Sequence, residues 1–319
     1  MWRGSRCDGV RGAPTGPSSG ARPRRRAARP YRLRDWLGGW LASSAMAEEN
    51  SRPKRLPERH RGPVVLRRRQ AQTSTTDQRL LDTRAPGDWV HTDPWRVMRI
   101  QAEFVEGFGL LAEVGRAITV FGSARTPHDH PEYALGMEIG TKLAQAGYAV
   151  ITGGGPGVME AVNRGCSEAG GLSIGLGIEL PFEQGLNEWV DMGIDFRYFF
   201  VRKMMFVKYA QGFVFMPGGF GTLDELFEAL VLVQTQKVTK FPVVLLGTAY
   251  WRGLLDWLGS TLVDAGKISA PDLDLISMTD DVDEVVQTML DADETRRAEE
   301  RAAGDALAEA VTDEAADED

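Results

Sequence analysis

The chain of 319 residues has only two cysteines, Cys7 and Cys166, and four histidines. Two thiols cannot build a disulfide framework, and their scarcity fits a reducing cytoplasm. Histidine is too sparse for a histidine-rich metal centre, and His128-Asp129-His130 sits in a polar loop before Pro131 with no cysteine nearby. No apolar run approaches the about 20 residues that cross a bilayer, so no membrane partner is expected. The P-loop pattern G-x-x-x-x-G-K-[ST] is missing, as is G-x-G-x-x-G, and no strand-to-helix turn carries the nucleophile elbow: the spacing G-x-S-x-G occurs only at 16–20 in the leader and at 171–175, along a strand. These absences argue against a P-loop nucleotidase and a serine hydrolase of the elbow type. Cys166 falls in a helical stretch without an evident histidine partner and reads as a core residue.

What is present is an ordinary globular composition, 43% hydrophobic with a net charge of -8, enough for one sizeable core. The charge is uneven. Arginines crowd the first sixty or so residues, as in Arg22-Pro23-Arg24-Arg25-Arg26, and acids crowd the end. Residues 1–90 are expected to be a disordered basic leader. Met46-Ala47-Glu48-Glu49 fits an ordinary protein start, so 1–45 is expected to be untranslated. Trp36 to Ala42 is too short and glycine-broken for a good signal-peptide core. Nucleic acid is disfavoured as a partner, because the arginines gather in the leader instead of on the folded part.

From residue 91 the pattern becomes regular. Asp93-Pro94 signals a helix start, and Trp95, Met98, Ala102, Val105, Phe108 and Leu111 recur at helical spacing. These assign a helix to 91–116, packed on the domain. From 117 to 290 short apolar strands alternate with helices: strands at 117–121, 149–152, 172–177, near 190–194, 212–216, 242–247 and near 275–276; helices at 131–146, 158–169, 198–210, 226–233, 251–265 and 282–290. Strands apolar on both faces, alternating with helices, predict an α/β fold. Its doubly wound parallel sheet is Rossmann-like, a single domain with helices on both faces. Residues 291–319 form an acidic tail, solvated and partly helical.

Three glycine turns fall at strand carboxyl ends, where such sheets bind ligands: Gly122-Ser123, Gly153-Gly154-Gly155-Pro156-Gly157 and Pro217-Gly218-Gly219-Phe220-Gly221. The last opens a helix, and such a turn aims backbone N–H groups and the positive end of the helix dipole at an anion such as phosphate. Thr222-Leu223-Asp224-Glu225 fits a capping box, Thr222 at the N-cap and Glu225 at N3. On that reading Glu225 closes the helix end; on the other it is a carboxylate beside an anion site. Arg202-Lys203 interrupts an apolar helix just before this turn. Such an arginine is either a surface residue or the partner of a buried acid or phosphate.

Together these motifs resemble the LONELY GUY family, cytokinin-activating phosphoribohydrolases often mislabelled as lysine decarboxylases. The P-G-G-x-G-T-x-x-E hallmark stands complete from Pro217 to Glu225. A second hallmark, G-G-G followed by G-x-M, stands as Gly153-Gly154-Gly155-Pro156-Gly157-Val158-Met159-Glu160. The upstream Arg-Lys pair is Arg202-Lys203, and the opening turn is Gly122-Ser123. Phe199-Phe200 replaces the Met-His of plant-type members, which is similar to the longer bacterial branch. The resemblance covers about 117–290. It implies hydrolysis of the N-glycosidic bond of (N6-modified) AMP, or a related nucleoside 5′-monophosphate, to free base and ribose 5-phosphate. It implies no metal or organic cofactor and a homodimer or higher homo-oligomer. Arg202 and Glu225 would be catalytic, and Gly218, Gly219, Gly221 and Thr222 would bind phosphate. Gly122, Ser123, Gly153, Gly154, Gly155, Gly157, Met159, Glu160 and Lys203 would bind the nucleoside. The alternative is a non-catalytic nucleotide or molybdenum-cofactor binding protein of the same fold, which would need the glycine turns but neither Glu225 nor Arg202.

Overall fold

The computed structural model describes residues 58–61, 64–67, 75–81, 89–180, 185–235, 237 and 241–317. The arginine-rich stretch at 22–26, the proposed start at Met46, the 36–42 segment and residues 181–184 of the loop near Pro181 lie outside the described residues. The chain divides into two units, 1–71 and 72–319. In the first, β1 (Glu58–Arg61) pairs antiparallel with β2 (Val64–Arg67). In the second, α1 (Thr76–Leu80) is closed by a capping box. Thr75 Oγ1 accepts from the N–H of Gln78 at 3.2 Å, and Gln78 Oε1 accepts from the N–H of Thr75 at 2.9 Å. Composition predicts disorder up to residue 90; these elements stand within that span. The Thr-x-x-Gln signal at 75–78 is local and is lost in an average over many arginines.

The second unit carries a seven-stranded sheet in the order β6-β5-β4-β3-β7-β8-β9, parallel at every pairing. Its strands are β3 (Ala117–Phe121), β4 (Ala149–Thr152), β5 (Ser173–Ile178), β6 (Met192–Phe196), β7 (Phe213–Phe215), β8 (Val243–Leu246) and β9 (Ile276–Thr279). The order runs outward from β3 to β6, then restarts on the other side of β3 with β7. That reversal is a topological switch point, where a crevice opens above the strand ends.

Alternation along each strand feeds two cores. Ile118, Val120, Val150, Val214 and Val244 face one layer. There they meet α3 (Pro131–Gln145), α4 (Val158–Glu168) and the start of α8 (Val282–Asp317). Ala117, Phe121, Ile151, Phe213, Phe215 and Leu245 face the other. There they meet α2 (Trp89–Leu111), α5 (Phe199–Tyr209), α6 (Phe220–Gln234) and α7 (Thr248–Trp257). The expected doubly wound α/β sheet is the one observed. Among the described residues no helix is long and apolar enough to cross a membrane.

Several boundaries differ from expectation. β6 and β9 lie about two residues later than the sequence signal. The helix assigned to 251–265 starts at Thr248, and after Trp257 it widens into a π-helical turn, Leu258–Val263. Helix α2 begins at Trp89 and carries Pro94 inside it, so Asp93-Pro94 does not start it. As the sixth residue of the helix, Pro94 cannot donate to the carbonyl of residue 90, and its ring crowds that carbonyl. The packed face of α2 also differs. Of the expected stripe Leu111 is buried in the core, but Trp95, Met98, Val105 and Phe108 are exposed, and Ile100 and Phe104, outside the stripe, pack against the core. The helix is the expected one, and its inner face is rotated away from most of the expected stripe. Glu103, buried on the packed face, accepts from the Arg197 backbone N–H and pairs with Arg197 Nε at 2.8 Å, so a charged residue marks the inner side.

The acidic tail is anchored where it begins. Asp293 in α8 is 4% exposed, and its carboxylate takes Arg116 at 3.0 Å, Arg297 at 3.1 Å and Arg296. Hydrogen bonds to charged groups contribute about 1.5–3 kcal/mol each in favourable settings, less where the partner is exposed as these arginines are. Asp293→Ala should lower the unfolding free energy by about 1–3 kcal/mol, read from the denaturant midpoint; an unchanged midpoint would show the cluster to be decorative.

Candidate active site

The three glycine turns converge because β4, β3 and β7 are neighbours. Ser123 ties them together. Its N–H donates to Pro217 O at 3.1 Å, and its carbonyl accepts from the N–H of Val158 at 2.9 Å. Thus the turns after β3, β4 and β7 share one hydrogen-bonded seam. Gly157 adopts φ +71° beside the Ser123 carbonyl, a conformation open chiefly to glycine.

After β7 the chain turns through Pro217-Gly218-Gly219 into α6. Gly219 is the N-cap and has no side-chain capping bond. The expected capping box is therefore absent: Thr222 sits at the third helical position and Glu225 in the second turn. The helix starts earlier because glycine at 219 lets the chain enter it without a side-chain cap. Thr222 is buried, and its Oγ1 lies 2.1 Å from where a Cβ on Gly218 would stand, so only glycine fits there. Tyr250 Oη donates to Gly218 O at 2.6 Å from the start of α7. The N–H groups of the first turn are left without a side-chain cap, an anion-receptive end backed by the dipole.

Glu225 faces Lys203. Lys203 Nζ lies 2.7 Å from Glu228, 3.0 Å from Asp224 and 3.4 Å from Glu225. Burial pushes the Glu225 carboxyl up to about 7; Lys203 opposes that rise, Glu228 adds to it, and Arg202 opposes it. Burial works against the charge of Lys203, yet the surrounding carboxylates outweigh it and its pKa lies above the ordinary value. Arg202 donates from Nε to Leu176 O at 2.7 Å and lies over the Phe206 ring. A Cβ at Gly153 would stand 2.5 Å from Arg202 Nη2 and 2.7 Å from Met159 Sδ. Gly153 thus opens room for the guanidinium, with Met159 alongside.

The glycine turn of β4 rests on a buried polar network that the sequence did not disclose. Thr152 Oγ1 accepts from the N–H of Gly154 at 2.9 Å and donates to Asn163 Oδ1 at 2.6 Å. Asn187 Nδ2 donates to Gly155 O and to Asn163 Oδ1, both at 3.0 Å. An asparagine inside an otherwise apolar helix face was the available signal for Asn163. Glu228, Asp224 and Tyr250 were also missed; Asp224 and Glu228 follow Lys203's reach across to α6, which sequence spacing alone cannot give.

Glu160 is not turned to this group. It accepts from Tyr133 Oη at 3.2 Å and pairs with His128 Nε2 at 3.2 Å on the α3 side. His130 Nδ1 accepts from the N–H of Glu132 as the N-cap of α3. Among the described residues no group of three or more His, Cys, Asp or Glu is arranged to hold a metal. Cys166 is fully buried, and burial pushes its thiol up to about 12, as a core residue requires.

The family model described as "Possible lysine decarboxylase" matches residues 159–289. A protein of Mycobacterium marinum named cytokinin riboside 5′-monophosphate phosphoribohydrolase is 29% identical over 178 residues, 55% of this chain and 94% of its own length. An uncharacterized protein of Archaeoglobus fulgidus is 31% identical over 122 residues, 37% of this chain and 78% of its own. The molybdenum cofactor carrier protein of Chlamydomonas reinhardtii superposes with a TM-score of 0.42 at 26% identity, covering 56% of this chain and 97% of that one. With the complete Pro217–Glu225 hallmark, the family model and the match to the Mycobacterium marinum protein, the chain belongs to the LONELY GUY family.

Proposed function

We propose that the chain hydrolyses the N-glycosidic bond of a nucleoside 5′-monophosphate, AMP or an N6-modified form of it, to free base and ribose 5-phosphate. The observation that carries this reading is Glu225: a largely buried carboxyl pushed up to about 7, one turn past an uncapped helix start and in contact with Lys203. The phosphate rests on the N–H groups of Gly218, Gly219, Gly221 and Thr222. As the C1′–N bond breaks, positive charge grows on the ribose. The Glu225 carboxylate stabilises it and takes a proton from the attacking water, whose oxygen bonds to C1′. The departing base gains a proton from solvent or from Glu225. Arg202, fixed at Leu176, orients the nucleotide and favours the ionised form of Glu225. Gly122, Ser123 and the Gly153–Gly157 turn form the floor under the ribose, and the relative from Mycobacterium marinum, by its name, carries the corresponding activity.

Lysine decarboxylation does not suit these residues. A Schiff-base lysine needs a depressed pKa, whereas Lys203 is held by three carboxylates and lies above its ordinary value.

Glu225→Gln should lower kcat by about 10²–10⁴-fold, measured as ribose 5-phosphate release from AMP and an N6-substituted AMP. In wild type, kcat/KM should fall as pH drops through about 7, because the raised pKa leaves Glu225 protonated below that value. Removing the cation in Lys203→Met should shift that limb to higher pH, since Lys203 favours the carboxylate. A pH-independent rate between 5 and 9, or full activity in the glutamine variant, would remove Glu225 from the chemistry.

We also infer that the protein is a homodimer or larger homo-oligomer. Trp95, Met98 and Val105 fall on one face of α2 and are 66%, 59% and 72% exposed, an apolar stripe that a second copy of the chain would cover. Light scattering at micromolar concentration should give at least twice the chain mass; a monomer would refute this.

A further inference from the structure

Two neighbouring residues of α7 grip the end of β7 and the glycine turn that follows it. Trp251, fully buried, donates from Nε1 to the carbonyl of Phe215, the last residue of the strand, at 3.1 Å, and to Leu246 O at 3.3 Å. Tyr250 Oη donates to Gly218 O at 2.6 Å, in the turn itself. The two rings meet edge to face, centroids 4.9 Å apart at 87°. Their helix is fixed at its start. Gly247 takes a left-handed backbone, φ +108°, and its N–H donates to Thr279 O at 2.9 Å. The N–H of Thr248 donates to Asp280 Oδ1 at 2.7 Å. The Tyr250 hydroxyl therefore reaches Gly218 on a rigid arm, carried by an element outside the three glycine turns.

What this bond does follows from the geometry of a helix start. Gly219 is extended, φ −90° and ψ −158°, and its carbonyl takes the first helical bond, from the Leu223 N–H at 3.0 Å. The N–H groups of Phe220, Gly221 and Thr222 precede that bond, so the helix offers them no acceptor. Glycine passes readily between extended and helical backbone. If Gly219 rotated into the helical region, α6 would begin one residue earlier. Gly218 O would then be the acceptor four residues before Thr222, and the Thr222 N–H would be taken up within the helix. Tyr250 holds that carbonyl outside the helix. A planar trans peptide points its N–H opposite to its C=O, so the same bond aims the Gly219 N–H away from the Tyr250 hydroxyl.

Resting on the hydrolase reading above, we propose that Tyr250 is a positioning residue for the 5′-phosphate of the substrate. Its hydroxyl keeps the Gly218–Gly219 peptide turned out of α6 and leaves the Gly219 and Thr222 N–H groups open to the anion. Tyr250 lies 32 residues beyond the turn that it sets, and the Pro217–Glu225 pattern carries no sign of it.

The test removes the hydroxyl alone. Tyr250 is 50% exposed, so Tyr250→Phe keeps the ring against Trp251 and should unfold at the wild-type denaturant midpoint. Phosphate contacts hold substrate and transition state alike, so KM for AMP should rise about tenfold while kcat stays within about threefold of wild type. An unchanged KM, or a fall in kcat without a rise in KM, would overturn the proposal. Calorimetry with ribose 5-phosphate reads the same role without turnover: its Kd should rise about tenfold in Tyr250→Phe. Equal Kd in the two proteins, or no binding to wild type, would overturn it. Amide hydrogen exchange of wild type needs no variant: ribose 5-phosphate should protect the stretch 218–222, and absence of protection would overturn the proposal. Wild type that releases no ribose 5-phosphate from AMP would overturn the hydrolase reading, and the calorimetry then still decides the role of Tyr250.

Discussion

Three loops from three strands depend on the backbone of Ser123. Its N–H holds the turn after β7 and its carbonyl holds the start of α4 after β4. Both bonds exist only because β4, β3 and β7 are parallel neighbours, so that their carboxyl ends emerge on the same edge. A backbone seam of this kind is independent of side-chain rotamers. It fixes the glycine turns relative to one another at little entropic cost, since the strands beneath are already ordered. The buried Thr152–Asn163–Asn187 network then fixes the one turn whose glycines would otherwise leave it loose. Preorganisation of this sort suits a site that must receive charge without rearranging.

Upon that frame sits an unequal electrostatic balance. One ammonium, Lys203, serves three carboxylates, Asp224, Glu225 and Glu228. Three acids around one base cannot all be neutralised, and the acid most withdrawn from water suffers most. Glu225 has a side chain only 12% exposed, against 60% for Asp224 and 33% for Glu228. Its carboxyl is therefore the one driven up to about 7, despite its cationic neighbours. A carboxyl near neutrality can both accept a proton and return it at physiological pH, which an ordinary surface glutamate does poorly. Helix geometry adds the placement: the helix begins at Phe220, so Glu225 lies in the second turn, on the body of α6 instead of at its frayed end.

Much of this was legible in the chain. Strands and helices alternate with glycine punctuation that local rules read well, and the placement of the three turns at strand ends followed directly. Phase and partnership were not legible. Helix α2 is apolar on two sides, and periodicity cannot say which side meets the sheet; the buried Glu103, which a hydrophobic count discards, marks the inner face. Thr222 and Glu225 satisfy a capping pattern, yet Gly219 starts the helix three residues earlier, because a glycine needs no side-chain cap to change direction. Glu160 lies in the same motif as Met159, but one helical step of about 100° turns it to Tyr133 and His128. Lys203 carries no sequence mark of its three acids, since they lie on a different helix.

The division between rigid and added parts bears on how such a site can diversify. Arg202, Glu225 and the glycine turns are carried by elements of the sheet and its core helices, where a small displacement would disturb several buried contacts at once. The strap at 75–81 is different. It comes from outside the alternating domain, has a five-residue helix of its own, and is attached through Glu179 and the Phe199 N–H. Leu80 packs against the core, whereas Leu81 is exposed, so substitution at Leu81 disturbs little else. The two parts can thus vary independently: the parallel sheet is held by buried packing, the strap by a few hydrogen bonds.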